Sequence, residues 1–161
     1  MNALQYATEM ESEGILYYES QAALFQNTNL ERIFSILAEE ERKHQKILQS
    51  FGQDTVSELP QNSNLIHETN LFFGMEKFAD EIRANPPQVA VYEMALTIEE
   101  KSVRFYENQM DKSSDEHERK VFSFLLSQEI IHVEILEELV TRIRRIDEWV
   151  ESAEFGNREE Y

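Results

Sequence analysis

The chain predicts an all-α fold: a four-helix bundle built from two pseudo-symmetric helix hairpins, joined by a long crossover that carries a short helix. Three observations lead there. Apolar residues recur at helical intervals through four stretches that contain no proline. Only four Gly and three Pro occur in 161 residues, while hydrophobic residues make up 41%, which suits a mostly helical globular protein rather than a disordered acidic one. The third observation is an internal repeat. At a constant offset of 88 residues and without a gap, Ala7 aligns with Ala95, Glu19 with Glu107, Gln21 with Gln109, Phe34 with Phe122, Ser35 with Ser123, Leu37 with Leu125, Ile47 with Ile135 and Leu48 with Leu136.

The first helix is expected over residues 3–26, where Leu4, Ala7, Met10, Gly14, Tyr17, Tyr18 and Leu24 follow helical spacing. Asn27-Thr28-Asn29 supplies turn and cap chemistry, and residues 30–51 then read as a second helix with Ile33, Phe34, Leu37, Ile47 and Leu48 on its inner stripe. So short a turn implies an antiparallel hairpin. Residues 52–64 shift to Gly, Asp, Ser, Pro and Asn, and Leu59-Pro60 discourages a helix there. Residues 65–82, with Leu71, Phe72, Phe73, Met75 and Phe78, are expected to form a short helix across the bundle, ended by Asn85-Pro86-Pro87. Either proline can open a third helix over 88–110, because the first helical N–H has no partner within the helix. Ser113-Ser114-Asp115 offers cap oxygens for a fourth helix, whose apolar positions Val121, Phe122, Leu125, Ile135, Leu136, Leu139 and Ile143 run well past its middle. The stretch from Trp149 to Phe155 either extends that helix or docks separately. A single domain is expected over 1–161, divided into hairpin 3–51, crossover 52–87, hairpin 88–145 and C-terminal segment 146–161.

Composition narrows the function. A formal charge of −17 argues against nucleic-acid binding, since phosphate backbones need clustered Lys and Arg. With no cysteine, disulfides, zinc ribbons and Cys-ligated iron centres are excluded. The amino terminus lacks a basic start followed by an apolar run, and no stretch approaches the roughly 20 apolar residues of a membrane span. A cytoplasmic protein with no membrane partner is the expectation.

The chemistry lies in two Glu-x-x-His pairs, Glu41/His44 and Glu129/His132, separated by the same 88-residue offset that carries Glu11 onto Glu99 and Tyr18 onto Tyr106. Residues three apart share a helix face, so each carboxylate and imidazole can converge on one ion. One such pair from each of two helices and a single Glu from each of the other two is the ligand pattern of ferritin-like di-iron and di-manganese carboxylate proteins. The metal ligands expected here are Glu11, Glu41, His44, Glu99, Glu129 and His132. Tyr18 and Tyr106 are either core aromatics or phenols that hydrogen-bond a ligand carboxylate and assist catalysis. His67 and His117 lack a Glu three positions earlier and read as ordinary packing or surface residues.

The segment from Glu11 to Tyr18, a Glu followed seven residues later by Tyr, is repeated from Glu99 to Tyr106. With the two Glu-x-x-His segments it resembles the rubrerythrin-like branch of the ferritin-like superfamily, from Ala3 to about Val140. That resemblance implies a ferritin-like four-helix bundle. It also implies Glu41 and Glu129 shared between two metals, Glu11 and Glu99 more terminal, and His44 and His132 binding one metal each. Two features depart from the family. Rubrerythrins join such a bundle to a Cys-rich rubredoxin domain, absent here, and they carry an extra Glu three residues after the third-helix ligand, where this chain has Ser102.

The functional expectation is a non-haem diiron oxidoreductase that binds two Fe ions, with Mn or Zn as alternatives, and reduces peroxide or dioxygen as the iron is oxidised. It would need an external electron donor and is expected to form a homodimer. The alternatives are a non-catalytic iron-binding, storage or delivery protein, and a purely structural bundle.

Overall fold

A computed structural model of the chain describes residues 2–52, 59, 80–81 and 89–156. The described residues form four long helices: α1 Ala3–Leu24, α2 Asn29–Gly52, α3 Val89–Lys112 and α4 Glu116–Gly156. No strand occurs among them. The architecture is the all-helical ferritin-like four-helix bundle.

Local chemistry sets the helix ends. Asn2 caps α1 through a reciprocal box: its Oδ1 accepts the Gln5 N–H at 2.8 Å, and Gln5 Oε1 accepts the Asn2 N–H at 3.1 Å. α1 stops two residues before the expected end at 26. Phe25 leaves helical geometry and Asn27 takes a left-handed conformation, φ 65°, which Asn tolerates better than most side chains. Thr28 Oγ1 then accepts the Glu31 N–H at 3.3 Å, so α2 begins at Asn29. At the start of α4, Asp115 Oδ1 accepts the N–H groups of His117 at 2.7 Å and Glu118 at 3.0 Å.

α4 is 41 residues long, against 24 for α2 and α3. At 1.5 Å per residue it extends about 60 Å; Ile143 is buried and Ile146 still packs against the core. The C-terminal stretch continues the helix past those contacts, with Trp149 exposed. No helix among the described residues is long and apolar enough to cross a membrane.

Two described points of the crossover lie against the bundle. Half-buried Leu59 lines a surface cavity with Met110 and Phe124, where α3 ends and α4 begins. Glu81 lies at the opposite end of the bundle, where its Oε2 accepts the Asn29 N–H at 2.9 Å. The short helix expected over 65–82 lies outside the described residues apart from helical Asp80 and Glu81, as do Phe72, Phe73, His67 and the proline opening of the third helix.

The apolar core forms two tiers. One contains Tyr18, Phe34, Leu37, Tyr92, Ala95, Leu136 and Leu139; the other contains Ala7, Leu48, Tyr106, Phe122 and Leu125. The sequence repeat exchanges them. Tyr18, Phe34 and Leu37 of the first tier correspond to Tyr106, Phe122 and Leu125 of the second, while Ala7 and Leu48 of the second correspond to Ala95 and Leu136 of the first. The hairpins are thus related by an approximate two-fold axis passing between the tiers.

The cap at Asp115 makes a pH-dependent contribution. The N–H groups of Glu118 and His117 hold its carboxyl below the usual range, so its stabilisation is present above the unfolded-state value near ~4 and is lost as pH falls through the lower folded value. An Asp115→Ala protein is expected to melt a few degrees lower at neutral pH. In calorimetric scans the gap should close below that carboxylate range.

Candidate metal centre

Between the two apolar tiers, each helix turns a carboxylate inward. Glu11 from α1, Glu41 from α2, Glu99 from α3 and Glu129 from α4 are at most 3% exposed, as are His44 and His132. The three-residue spacing places Glu41 with His44 and Glu129 with His132 on single helix faces, and the antiparallel arrangement of α2 and α4 brings the pairs together. Their imidazole rings stack at 5.3 Å between centroids, 18° from parallel.

The ligand-type atoms gather in two overlapping sets. Glu11, Glu41, His44 and Glu129 form one; Glu41, Glu99, Glu129 and His132 form the other, with the chosen atoms of each set within 4.8 Å of one another. Glu41 and Glu129 belong to both. His44 Nδ1 lies 2.8 Å from Glu129 Oε1, and His132 Nδ1 lies 2.9 Å from Glu41 Oε1 and 3.2 Å from Glu99 Oε2.

These close approaches are not ordinary hydrogen bonds throughout. Glu11 Oε2, Glu41 Oε1, both Glu129 oxygens and both His44 ring nitrogens are buried without a hydrogen-bond partner among the described residues. The oxygens converge with one nitrogen of each ring, but the His44 ring N–H directions do not line up with them. Buried polar atoms are rarely left in that state, and convergent oxygen and nitrogen lone pairs are the donor set that a divalent cation satisfies. The residues present fit a pair of metal ions.

Two phenols cross from one hairpin to the other. Tyr18 on α1 donates to Glu99 Oε1 on α3, and Tyr106 on α3 donates to Glu11 Oε1 on α1. Each ligand-type Glu from a single-glutamate helix is therefore oriented by a Tyr of the opposite hairpin, in the role described for groups around metal ligands. Their neighbours do not compete for the site: Glu9 and Glu13 are exposed and Glu100 is only partly buried. His117 is exposed against Phe51, outside the cluster.

Electrostatics divides the four carboxyls. Burial, reinforced by the charges of Glu41 and Glu129, pushes Glu11 and Glu99 well above the usual carboxylate range. Burial also pushes Glu41 and Glu129 upward, but the polar and charged groups beside them more than offset it. The Glu11 carboxyl and the two imidazoles hold Glu41 well below its ordinary value, and the imidazoles hold Glu129 at about 2. For His44 and His132, burial favours the neutral ring, yet Glu129 beside His44 and Glu99 beside His132 raise both well above their ordinary value. Burial, then Glu99 for Tyr18 and Glu11 for Tyr106, keeps the phenols protonated.

The structure thus brings together all eight residues singled out in the sequence. Periodicity marked Tyr17 only as an apolar helix position, whereas its hydroxyl donates to Val91 O at 2.5 Å, and it did not mark Tyr92, whose buried hydroxyl has no partner among the described residues. Ser102 is buried and its Oγ donates to Ile98 O at 3.3 Å. It supplies no carboxylate.

In the metal-free protein Glu11, Glu99, His44 and His132 hold their protons to higher pH than such groups ordinarily do, and a cation must displace those that remain. Metal binding is therefore expected to release protons and to tighten as pH rises. Calorimetry in buffers of different ionisation enthalpy reads the proton count; pH-independent affinity with no release would contradict this charge distribution.

A family model for rubrerythrin matches residues 2–140. No curated protein and no solved structure matches the chain.

Proposed function

The chain belongs to the rubrerythrin family, and from that premise we propose that it is a non-haem diiron oxidoreductase that reduces peroxide or dioxygen as its iron is oxidised. The observation that carries the reading is the pair of overlapping buried sets that share Glu41 and Glu129. Glu11, Glu41, His44 and Glu129 would hold one ion, and Glu41, Glu99, Glu129 and His132 the other. When bound, two iron ions supply reducing electrons and Lewis acidity. Iron or manganese suits six oxygen and imidazole ligands without thiolate, and zinc is the third candidate.

The chain's own groups do the rest. The apolar tiers exclude water from the carboxylates, which strengthens their attraction for cations. The shared position of Glu41 and Glu129 lets each turn an oxygen to either ion. Tyr18 and Tyr106 keep their protons because they are buried beside carboxylates, so they orient Glu99 and Glu11 and retain a transferable proton at each phenol oxygen. An electron donor outside this bundle is part of the proposal, because the bundle has no cysteine to ligate a further iron. Exposed Leu16, Leu24 and Met94 offer apolar surface for a homodimer, and the cytoplasm is the compartment that completes the proposal.

One observation favours a second reading. Ser102 stands where rubrerythrins carry a further glutamate, which suits a non-catalytic iron-binding, storage or delivery protein.

The test is anaerobic loading with Fe(II), elemental analysis, and the rise of ferric absorbance after adding peroxide. Two iron per chain and rapid peroxide-dependent oxidation are expected in the wild type. Glu41→Ala and His132→Ala should lose about 100-fold or more in rate, and Tyr18→Phe about tenfold. Unchanged oxidation in both ligand variants would sink the assignment, and iron binding without peroxide reactivity would favour the second reading.

A further inference from the structure

We infer that Gly14 is a positioning residue: the missing side chain in the middle of α1 forms the seat in which Glu41 is held. The inference rests on the reading of the buried cluster as a two-metal centre. It begins from a glycine that its helix does not require. Glycine inside a helix is less favourable than alanine, and Gly14 does not have the positive φ that would call for it.

What occupies the space is the Glu41 side chain. A Cβ built at position 14 would lie 3.4 Å from Glu41 Cγ and 3.5 Å from both its Cδ and Oε2. The Cγ contact is at the tight limit of ordinary packing and the other two are within it, so a methyl group presses on Glu41 and a larger side chain displaces it. Glu41 Oε1 is 2.9 Å from His132 Nδ1, its Oε2 is 3.8 Å from His44 Nδ1, and Glu41 is common to both ligand sets. Gly14 lies one turn beyond Glu11, so the same face of α1 that presents one carboxylate recedes to admit another. The equivalent position in the other hairpin is Ser102, also buried, with its hydroxyl turned to its own helix. The seat therefore belongs to one half of the two-fold arrangement, and the carboxylates Glu41 and Glu129 are held by different surroundings.

The experiment compares wild type, Gly14→Ala and Gly14→Val by metal-free melting, calorimetric titration with Mn(II), and the electron paramagnetic resonance of the loaded proteins. Metal-free Gly14→Ala is expected to melt at the wild-type temperature or higher, because alanine favours the helix. It should nevertheless bind Mn(II) about tenfold more weakly and replace the coupled signal of a carboxylate-bridged pair with that of isolated ions. Gly14→Val should do so more strongly. Wild-type affinity and coupling in Gly14→Ala overturn the seat, whether or not Gly14→Val folds. Weak binding accompanied by a lower metal-free melting temperature also overturns it, since a damaged helix then suffices. A wild-type protein that binds neither Mn(II) nor Fe(II) overturns the two-metal reading itself, and the seat with it.

Discussion

Four carboxyl groups gathered in the apolar interior are the constraint on which the rest of the structure depends. Each charge removed from water costs several kcal/mol, and like charges at this separation add repulsion. A ring of leucines of similar volume would make a more stable bundle. Glu11, Glu41, Glu99 and Glu129 are sustained by what faces them: two imidazoles, two phenols and, in the proposed state, two cations. The apolar tiers on either side are as necessary as the ligands. Without Phe34, Leu37 and Tyr92 on one side and Leu48, Phe122 and Leu125 on the other, water would reach the ring and weaken its hold on metal.

The same constraint explains how the hairpins are joined. Backbone packing within each hairpin, α1 on α2 and α3 on α4, greatly exceeds packing between them. Between the hairpins, the polar cluster supplies much of the specific contact: Tyr18 to Glu99, Tyr106 to Glu11, His44 against Glu129, and His132 against Glu41. Ions shared by Glu41 and Glu129 would therefore tie one hairpin to the other. With such ions bound, metal affinity and global stability would be coupled through the register of the two halves, because binding to the folded form alone shifts the folding equilibrium.

Much of this was legible in the residues. Glu41/His44 and Glu129/His132 obey helical spacing, and the 88-residue offset relates all eight inner side chains. That offset converts weak local motifs into one constellation, and the two-fold exchange of the core tiers is its three-dimensional form. Other features depend on information that periodicity does not contain. The end of α1 at Leu24 is set by the left-handed turn at Asn27, where Phe25 and Gln26 could equally have continued the helix. The continuation of α4 through Gly156 runs past Ile146, the last described residue packed against the core, so core contacts in the apolar pattern could not decide it in advance. Gly14 reads as one more apolar position until Glu41 is seen against it. Its local signal, an interior glycine one turn after a ligand-type Glu, says only that something approaches closely.

Backbone symmetry does not make the two ends of the centre chemically alike. On the Tyr18 side, Tyr17 bonds Val91 O and Tyr92 stacks on Phe34 at 5.7 Å with its hydroxyl unpartnered among the described residues. The repeat places Phe105 and Leu4 at the corresponding positions on the Tyr106 side, so two of its phenol positions are apolar. Gly14 against Ser102, and buried Glu40 against buried Gln128, extend the difference to the residues around the ligands. A duplicated hairpin is the simplest way to place four carboxylates and two imidazoles around one axis, because one set of spacings serves twice. Once that register is kept, each half is free to vary beside its ligands. The ring of carboxylates and imidazoles carries the symmetry that two ions would require, while the residues next to it would distinguish one ion's surroundings from the other's.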